Sequence, residues 1–181
     1  DAYSRMIVGW ELADTLRASI TIKALEQAIS QAGGVSLEGL THHSDRGVQY
    51  CCDDYVRMLQ THKIKISMTE DYNPTDNAIA ERANGVIKTE TVYSRKTFNS
   101  LEHARNVIGR FIHFYNYRRP HMSIGYKIPA VVHTETGAQK KMWKKKNYPK
   151  KAYNNGNNGI SLPCRTTGAD DGCNHHTVYS I

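Results

Sequence analysis

Two acids in this 181-residue chain are spaced so that they could do chemistry together. Asp45 lies in the stretch THHSDRGVQY, residues 41–50, behind two histidines and a serine and ahead of Arg46-Gly47. Glu81 follows with 35 residues between the two, inside DNAIAERANG, residues 76–85. A strand end and a helix face can bring two carboxylates to one divalent ion. Carboxylates crowd together only when a cation neutralises them, and paired ions ~4 Å apart activate a water or hydroxyl and stabilise the leaving oxygen of a phosphodiester. Lys88 lies seven residues past Glu81, two helical turns on, so the two share a helix face about 10 Å apart along its axis. A lysine there would hold a phosphate backbone, and Asn77, four residues before Glu81, shares the face. Each residue also has an ordinary reading. Asp45 could be a turn or cap residue, Glu81 and Lys88 solvated helix surface, and the spacing of two acids does not decide between these.

The elements that must position these residues follow from the hydrophobic pattern. Met6–Leu12 is apolar and β-prone and reads as a strand. Ala24, Leu25, Ala28, Ile29 and Ala32 fall on one helical face, and Gly33-Gly34 stops that helix. Residues 39–44 read as a short strand ending at Asp45, residues 49–61 as a helix, and residues 64–68 as a strand. Asp76 is placed to cap a third helix, with Ile79, Ala80, Ala83, Val86 and Ile87 as its apolar face. Asn99 with Glu102 forms a capping-box signal. Ala104, Val107, Ile108, Phe111, Ile112 and Tyr115 then give the strongest periodicity in the chain, ending near Tyr117 because Arg118-Arg119-Pro120 cannot easily continue a helix. Alternating strands and helices predict an α/β layer architecture.

Composition sets the outer limits. The chain is 39% hydrophobic and 23% charged, which fits a globular domain, and no apolar run approaches a membrane span. Four cysteines, Cys51, Cys52, Cys164 and Cys173, do not suggest a disulfide scaffold, so a reducing cytoplasm is expected. The sequence opens on Asp1-Ala2-Tyr3-Ser4 with no initiator Met and no leader pattern, as a piece of a longer chain would. The net charge of +7 is uneven: from residue 139 onward eight basic residues face two acids, leaving residues 1–138 at +1. The tail could therefore touch phosphates, or be no more than a solvated segment.

Four motifs together carry a resemblance. HHSDRGVQY, NPTDNAIAERANGVIKTE and FYNYRRPHMSIGYKIPA resemble the integrase-type core of bacterial insertion-element transposases, and DAYSRMIVGWEL resembles the strand pair earlier in the same domain, over roughly residues 1–135 in all. That family is related to retroviral integrases. The resemblance implies an α/β, ribonuclease-H-like mixed sheet flanked by helices, here lacking the first strand. It implies a DDE transposase that cleaves DNA and transfers strands with two Mg²⁺ or Mn²⁺ ions in the full-length parent. Asp45 and Glu81 match two of its three catalytic, metal-binding acids, whose spacing the 35 residues reproduce. Lys88 matches a basic residue of the same helix, and Asn77, Arg118 and Arg119 are candidate DNA contacts, with packing against the core as the alternative for Arg118, Arg119 and His121. His42 and His43 flank the pocket, His43 the nearer.

The family's first catalytic aspartate lies upstream of the D-x-x-S-R segment. Asp1 matches a non-catalytic aspartate instead, so this chain alone is expected to be inactive. The implied partners are DNA, as element ends and target, and further copies of the parent, with no membrane; the implied place is the bacterial cytoplasm, on the nucleoid. The expected division is a partial integrase catalytic core at residues 1–137 and a basic, low-complexity, disordered tail at residues 138–181. Lys140, Lys141, Lys144, Lys145 and Lys146 of that tail are its candidate DNA contacts. A non-catalytic remnant binding nucleic acid through this tail is the alternative function. Residues 164–176 hold two Cys and two His, but the spacing fits no common zinc pattern.

Overall fold

The computed structural model describes residues 1–15, 17–69, 77–94 and 97–139, together with the backbone of a strand at Thr177–Ser180. Its longest helix, α4 (Leu101–Tyr117), is the one the periodicity marks most strongly, and it buries Ala104, Val107, Ile108, Ile112 and Tyr115. It ends at Tyr117 as expected. Its start corrects the expectation by one residue. Ser100, in an extended conformation, is the cap and accepts the His103 N–H at 3.0 Å, while His103 Nδ1 accepts from the Asn99 N–H at 3.3 Å. The reciprocal logic of a capping box is kept, with histidine doing what Glu102 was expected to do.

The N-terminal segment lies along α4. Only Trp10–Ala13 (β1) forms a ladder; Met6–Gly9, expected in the same strand, do not. The reason is that a side chain takes the place of a neighbouring strand. Buried Asn116 accepts from the Ile7 N–H at 3.0 Å and donates to the Ile7 C=O at 2.9 Å. At the other end Arg105 donates to the Leu12 C=O at 2.8 Å and forms an ion pair with the buried carboxylate of Glu11. Arg105 and Asn116 are about 16 Å apart along a helix, and five extended residues span about the same length. The two polar clamps are therefore in register, and Leu12, Ile87, Ile108, Ile112 and Tyr115 close the first core cluster around them.

Gly9 lets this segment meet α1 (Ala18–Gln31), which buries Thr21, Ala24 and Leu25. A Cβ on Gly9 would lie 2.1 Å from the Ala24 carbonyl oxygen. Gly33 and Gly34, at φ +62° and +83°, end α1 as its sequence predicts. Leu25 belongs to a second core cluster with Tyr55, Leu59 and Ile64, in which α1, α2 (Asp53–Thr61) and the start of β3 (Lys65–Met68) meet. β3 pairs in parallel with β2 (Thr41–Ser44), Ser44 opposite Met68. The helix expected from residue 49 begins only at Asp53. Residues 47–51 turn instead, with the Tyr50 N–H on the Gly47 C=O at 2.9 Å, and Asp53 and Asp54 supply the negative first turn that a helix start favours.

α3 (Ala78–Ile87) runs on into a π turn at Lys88–Val92. Its apolar face is narrower than expected: Ile87 is buried and Val86 packs on the α4 cluster, but Ile79 is 47% exposed, because α3 meets that core at its C-terminal end. Asp76 lies outside the described residues. The short helix α5 (Pro129–His133) packs on α4.

Parallel and antiparallel pairing both occur, as the mixed α/β class has it: the described strands form a parallel pair, β2–β3, and an antiparallel pair of β1 with β4 (Thr177–Ser180), which no described strand joins. β4 falls inside the tail expected to be disordered. An unpaired β1 edge offers backbone donors and acceptors that a short extended segment can satisfy.

The packing of Gly9 yields the first prediction. Gly9→Ala should lower stability by about 1–3 kcal/mol, since backbone must move to relieve the clash. Gly85→Ala, in a helix interior with open space around the new Cβ, should raise it by up to about 1 kcal/mol. Denaturant unfolding of both variants, with opposite signs expected, checks this.

Candidate functional site

Asp45 stands exposed immediately after β2. Its Oδ1 accepts the Gly47 N–H at 3.0 Å, an aspartate turn that redirects the chain, while the second oxygen makes no hydrogen bond among the described residues. The turn reading and the ligand reading are thus compatible. β2 alternates, so the two histidines before Asp45 part company. His42 is buried, its Nε2 3.0 Å from the Tyr55 hydroxyl. His43 is exposed, its Nδ1 2.9 Å from Ser67 Oγ. Burial pushes His42 below its ordinary pKa and Tyr55 above its own, and the neighbouring His43 adds to the first effect. A neutral His42 therefore shares one hydrogen bond with the Tyr55 hydroxyl, and its tautomer sets which of the two donates. This makes His42 a packing residue and leaves His43 as the histidine on the Asp45 side.

Glu81 lies in the first turn of α3, exposed, its N–H donated to the Asn77 C=O at 3.1 Å. Asn77 precedes the helix, half-buried, and its side chain does not cap it. The helix is unbroken from Glu81 to Ile87, so Lys88, half-buried where the π turn begins, keeps the shared face at about 10 Å. α3 thus brings Asn77, Glu81 and Lys88 together. Asp45 belongs to the other half of the molecule: β2 packs with β3 and Tyr55, α3 with α4 and the π turn. No hydrogen bond or ion pair joins Asp45 to Glu81, and among the described residues no group of three or more His, Cys, Asp or Glu could hold a metal ion. Two carboxylates are the right kind of donor for a hard divalent cation, but two are too few to make its site.

The other candidates divide. Arg118 is exposed. Arg119 donates to both carboxylate oxygens of Glu90 at 2.7 Å. His121 packs into the core edge, Nε2 2.8 Å from the Tyr115 hydroxyl and Nδ1 3.1 Å from Ser123 Oγ. Lys140, Lys141, Lys144, Lys145, Lys146 and the Cys/His stretch at 164–176 lie outside the described residues. The positive charges of Arg5 and Arg82, which the motifs did not single out, act with that of Arg119 on the Tyr115–His121 pair: they oppose the upward shift that burial gives Tyr115 and add to the downward shift it gives His121. Cys51 and Cys52 are free thiols, and no described helix is long and apolar enough to cross a membrane.

Two family models, both for the integrase core domain, match residues 1–74 and 62–129. A putative transposase for insertion sequence element IS986/IS6110 of Mycobacterium tuberculosis is 34% identical over 143 residues, covering 77% of this chain and 51% of that protein. The chain belongs to the integrase-core family of insertion-element transposases. A second relative of this integrase core, the insertion element IS600 uncharacterized 31 kDa protein of Shigella sonnei, is 37% identical over 131 residues, covering 72% of this chain and 47% of that protein. The chain spans about half the length of the curated relatives it matches. Among solved structures it is similar to a chain of the simian T-cell lymphotropic virus intasome in complex with the PP2A regulatory subunit B56 gamma. The TM-score is 0.55 at 18% identity, over 76% of this chain and 47% of that chain. That likeness is one of fold, α/β and ribonuclease-H-like.

The buried His42–Tyr55 pair carries the second prediction. His42 has a lower pKa folded than its ordinary 6.5, so the unfolded chain takes up the proton first as pH falls. The pair's contribution is complete above about pH 6.5 and declines below it, by at most ~1.4 kcal/mol per pH unit. Unfolding free energies at pH 7.5 and 5.5 should therefore fall less in His42→Gln than in the parent. Comparing the two removes the contributions of His121 and His133, which are also shifted down by burial.

Proposed function

We propose that this chain is the greater part of a DDE transposase core, in which Asp45 and Glu81 are two of three carboxylates that bind divalent metal for DNA cleavage and strand transfer. The observation that carries the reading is Asp45 itself: an exposed carboxylate at the end of a strand in an integrase core, with one oxygen used by its own turn and the other open. Glu81 stands on the exposed face of α3, and Lys88 on the same face is the phosphate-positioning group. Mg²⁺ or Mn²⁺, once bound, would supply charge neutralisation and an activated oxygen nucleophile. A third acid must come from further chain, so the 181 residues alone are silent in catalysis. The partners of the complete protein are its element ends and target DNA, the site of action is the bacterial cytoplasm, and joining two ends calls for more than one copy.

Assay of cleavage and strand transfer with Mn²⁺ on matched element ends, in this chain and in one extended upstream, tests the reading. The extended chain should be active and the short one not. Asp45→Asn and Glu81→Gln should each bring the extended chain to background, because a negative ligand is lost and the shape kept. Lys88→Ala should weaken DNA binding while sparing metal affinity. An extended, folded chain without activity would sink the proposal.

A second reading, a non-catalytic nucleic-acid binder, is favoured by charge alone: the tail carries seven lysines within residues 140–151. Replacing Lys140, Lys141, Lys144, Lys145 and Lys146 by Gln should flatten the slope of log K against log[salt] for duplex binding by up to about 4.5, at ~0.9 per phosphate contact. An unchanged slope would remove the tail from the interface.

A further inference from the structure

We propose that Cys51 and Met68 form a two-sulfur site for a soft monovalent metal ion, Cu⁺ by the chemistry of its donors, apart from the Asp45 and Glu81 carboxylates. The Cys51 thiol lies 4.0 Å from the Met68 thioether sulfur and donates to it. Cys51 is exposed and Met68 half-buried, so an ion can reach both from solvent.

The strand register brings these sulfurs together. β2 and β3 run parallel with Ser44 opposite Met68, so those two side chains leave one face of the strand pair. On that face His42, two residues before Ser44, meets Tyr55 of α2. Cys51 ends the turn that leads into α2 and therefore arrives on the side of Met68. His43 and Ser67 leave the other face. Cys52 is not part of the site: its thiol donates to the Gln49 C=O at 3.5 Å, and its side chain packs on the Tyr55 cluster.

Two sulfurs 4.0 Å apart can share one ion. With metal–sulfur bonds of about 2.3 Å the angle at the ion is about 120°. Thiolate and thioether donors select Cu⁺, whereas Mg²⁺ and Mn²⁺ take oxygen donors, so the two kinds of ion do not compete for one place. Binding replaces the thiol proton. The Cys51 S–H bond breaks, its electron pair forms the metal–thiolate bond, the proton goes to solvent, and Met68 adds a lone pair; nothing is oxidised or reduced.

Ser44 marks the same face as unfinished. It is 5% exposed, and its hydroxyl makes no hydrogen bond among the described residues, at a cost of about 1–3 kcal/mol. The thioether opposite is a weak acceptor, whereas a metal-bound thiolate or water on this face would accept the Ser44 O–H strongly.

The test is NMR of the full chain carrying Cys164→Ser and Cys173→Ser, with ¹³C-labelled methionine methyl groups, titrated with silver nitrate as a redox-inert stand-in for Cu⁺. The Met68 methyl resonance should shift and saturate at one equivalent, while that of exposed Met122 stays in place. Cys51→Ser should abolish the response and Cys52→Ser leave it unchanged. Excess Mg²⁺ should not displace the silver ion. In competition with a colorimetric Cu⁺ chelator, Met68→Leu, which keeps the side-chain volume, should weaken Cu⁺ about tenfold. An unmoved Met68 methyl, or a Cu⁺ affinity unchanged in Met68→Leu, overturns the site, and neither readout needs a variant of Cys51. Loss of the response in Cys52→Ser also overturns it, by moving the ion to the adjacent thiols. No readout involves DNA, so the site stands or falls apart from the strand-transfer reading.

Discussion

A single buried amide holds this molecule in order. Asn116 presents its oxygen to the N–H and its nitrogen to the C=O of Ile7, satisfying both backbone groups of a residue that pairs with no strand among the described residues. Leaving either group unpaired in the core would cost about 1–3 kcal/mol. With Arg105 on Leu12 and Glu11 at the far end, the segment is fixed along α4 at two points. Gly9 lies between those points and meets α1, and α1 carries Leu25 into the second cluster over which β2 runs to Asp45. The position of the candidate ligand is thus set through a chain of contacts that starts from one carboxamide.

The parts legible in the sequence are those decided by local pattern. The α4 stripe from Ala104 to Tyr115, the stop at Tyr117, the helix carrying Glu81 and Lys88 and the strand ending at Asp45 all show in periodicity and turn chemistry. The parts not legible depend on partners far along the chain. Met6–Gly9 has a strand's composition, but its hydrogen bonds go to a helix side chain. Ile79 has the spacing of a core residue, but its end of α3 has no core to face. Ser100 replaces Asn99 as cap, since either side chain can accept an N–H of the first turn and a short local pattern does not separate them.

The exposed acids and Arg5 follow different rules. Asp45 and Glu81 stay in water and depend on the backbone that aims them: a two-residue turn in one case, a helix face in the other. Arg5 is partly withdrawn from water and depends on packing. Substitutions at the acids should therefore spare the fold, while Arg5 is tied to it.

The two core clusters have a consequence for cooperativity. Glu81 belongs to the half organised by α4, Asp45 to the half organised by Tyr55 and Leu59, and α1 touches both, packing on β1 and on α2. Structures built this way open in sub-global units, each with its own free energy. An ion grasped by both acids would cross-link those units. Its apparent affinity would then contain the free energy of docking one half on the other, and any change that loosens α1 would register as weaker metal binding without touching a ligand.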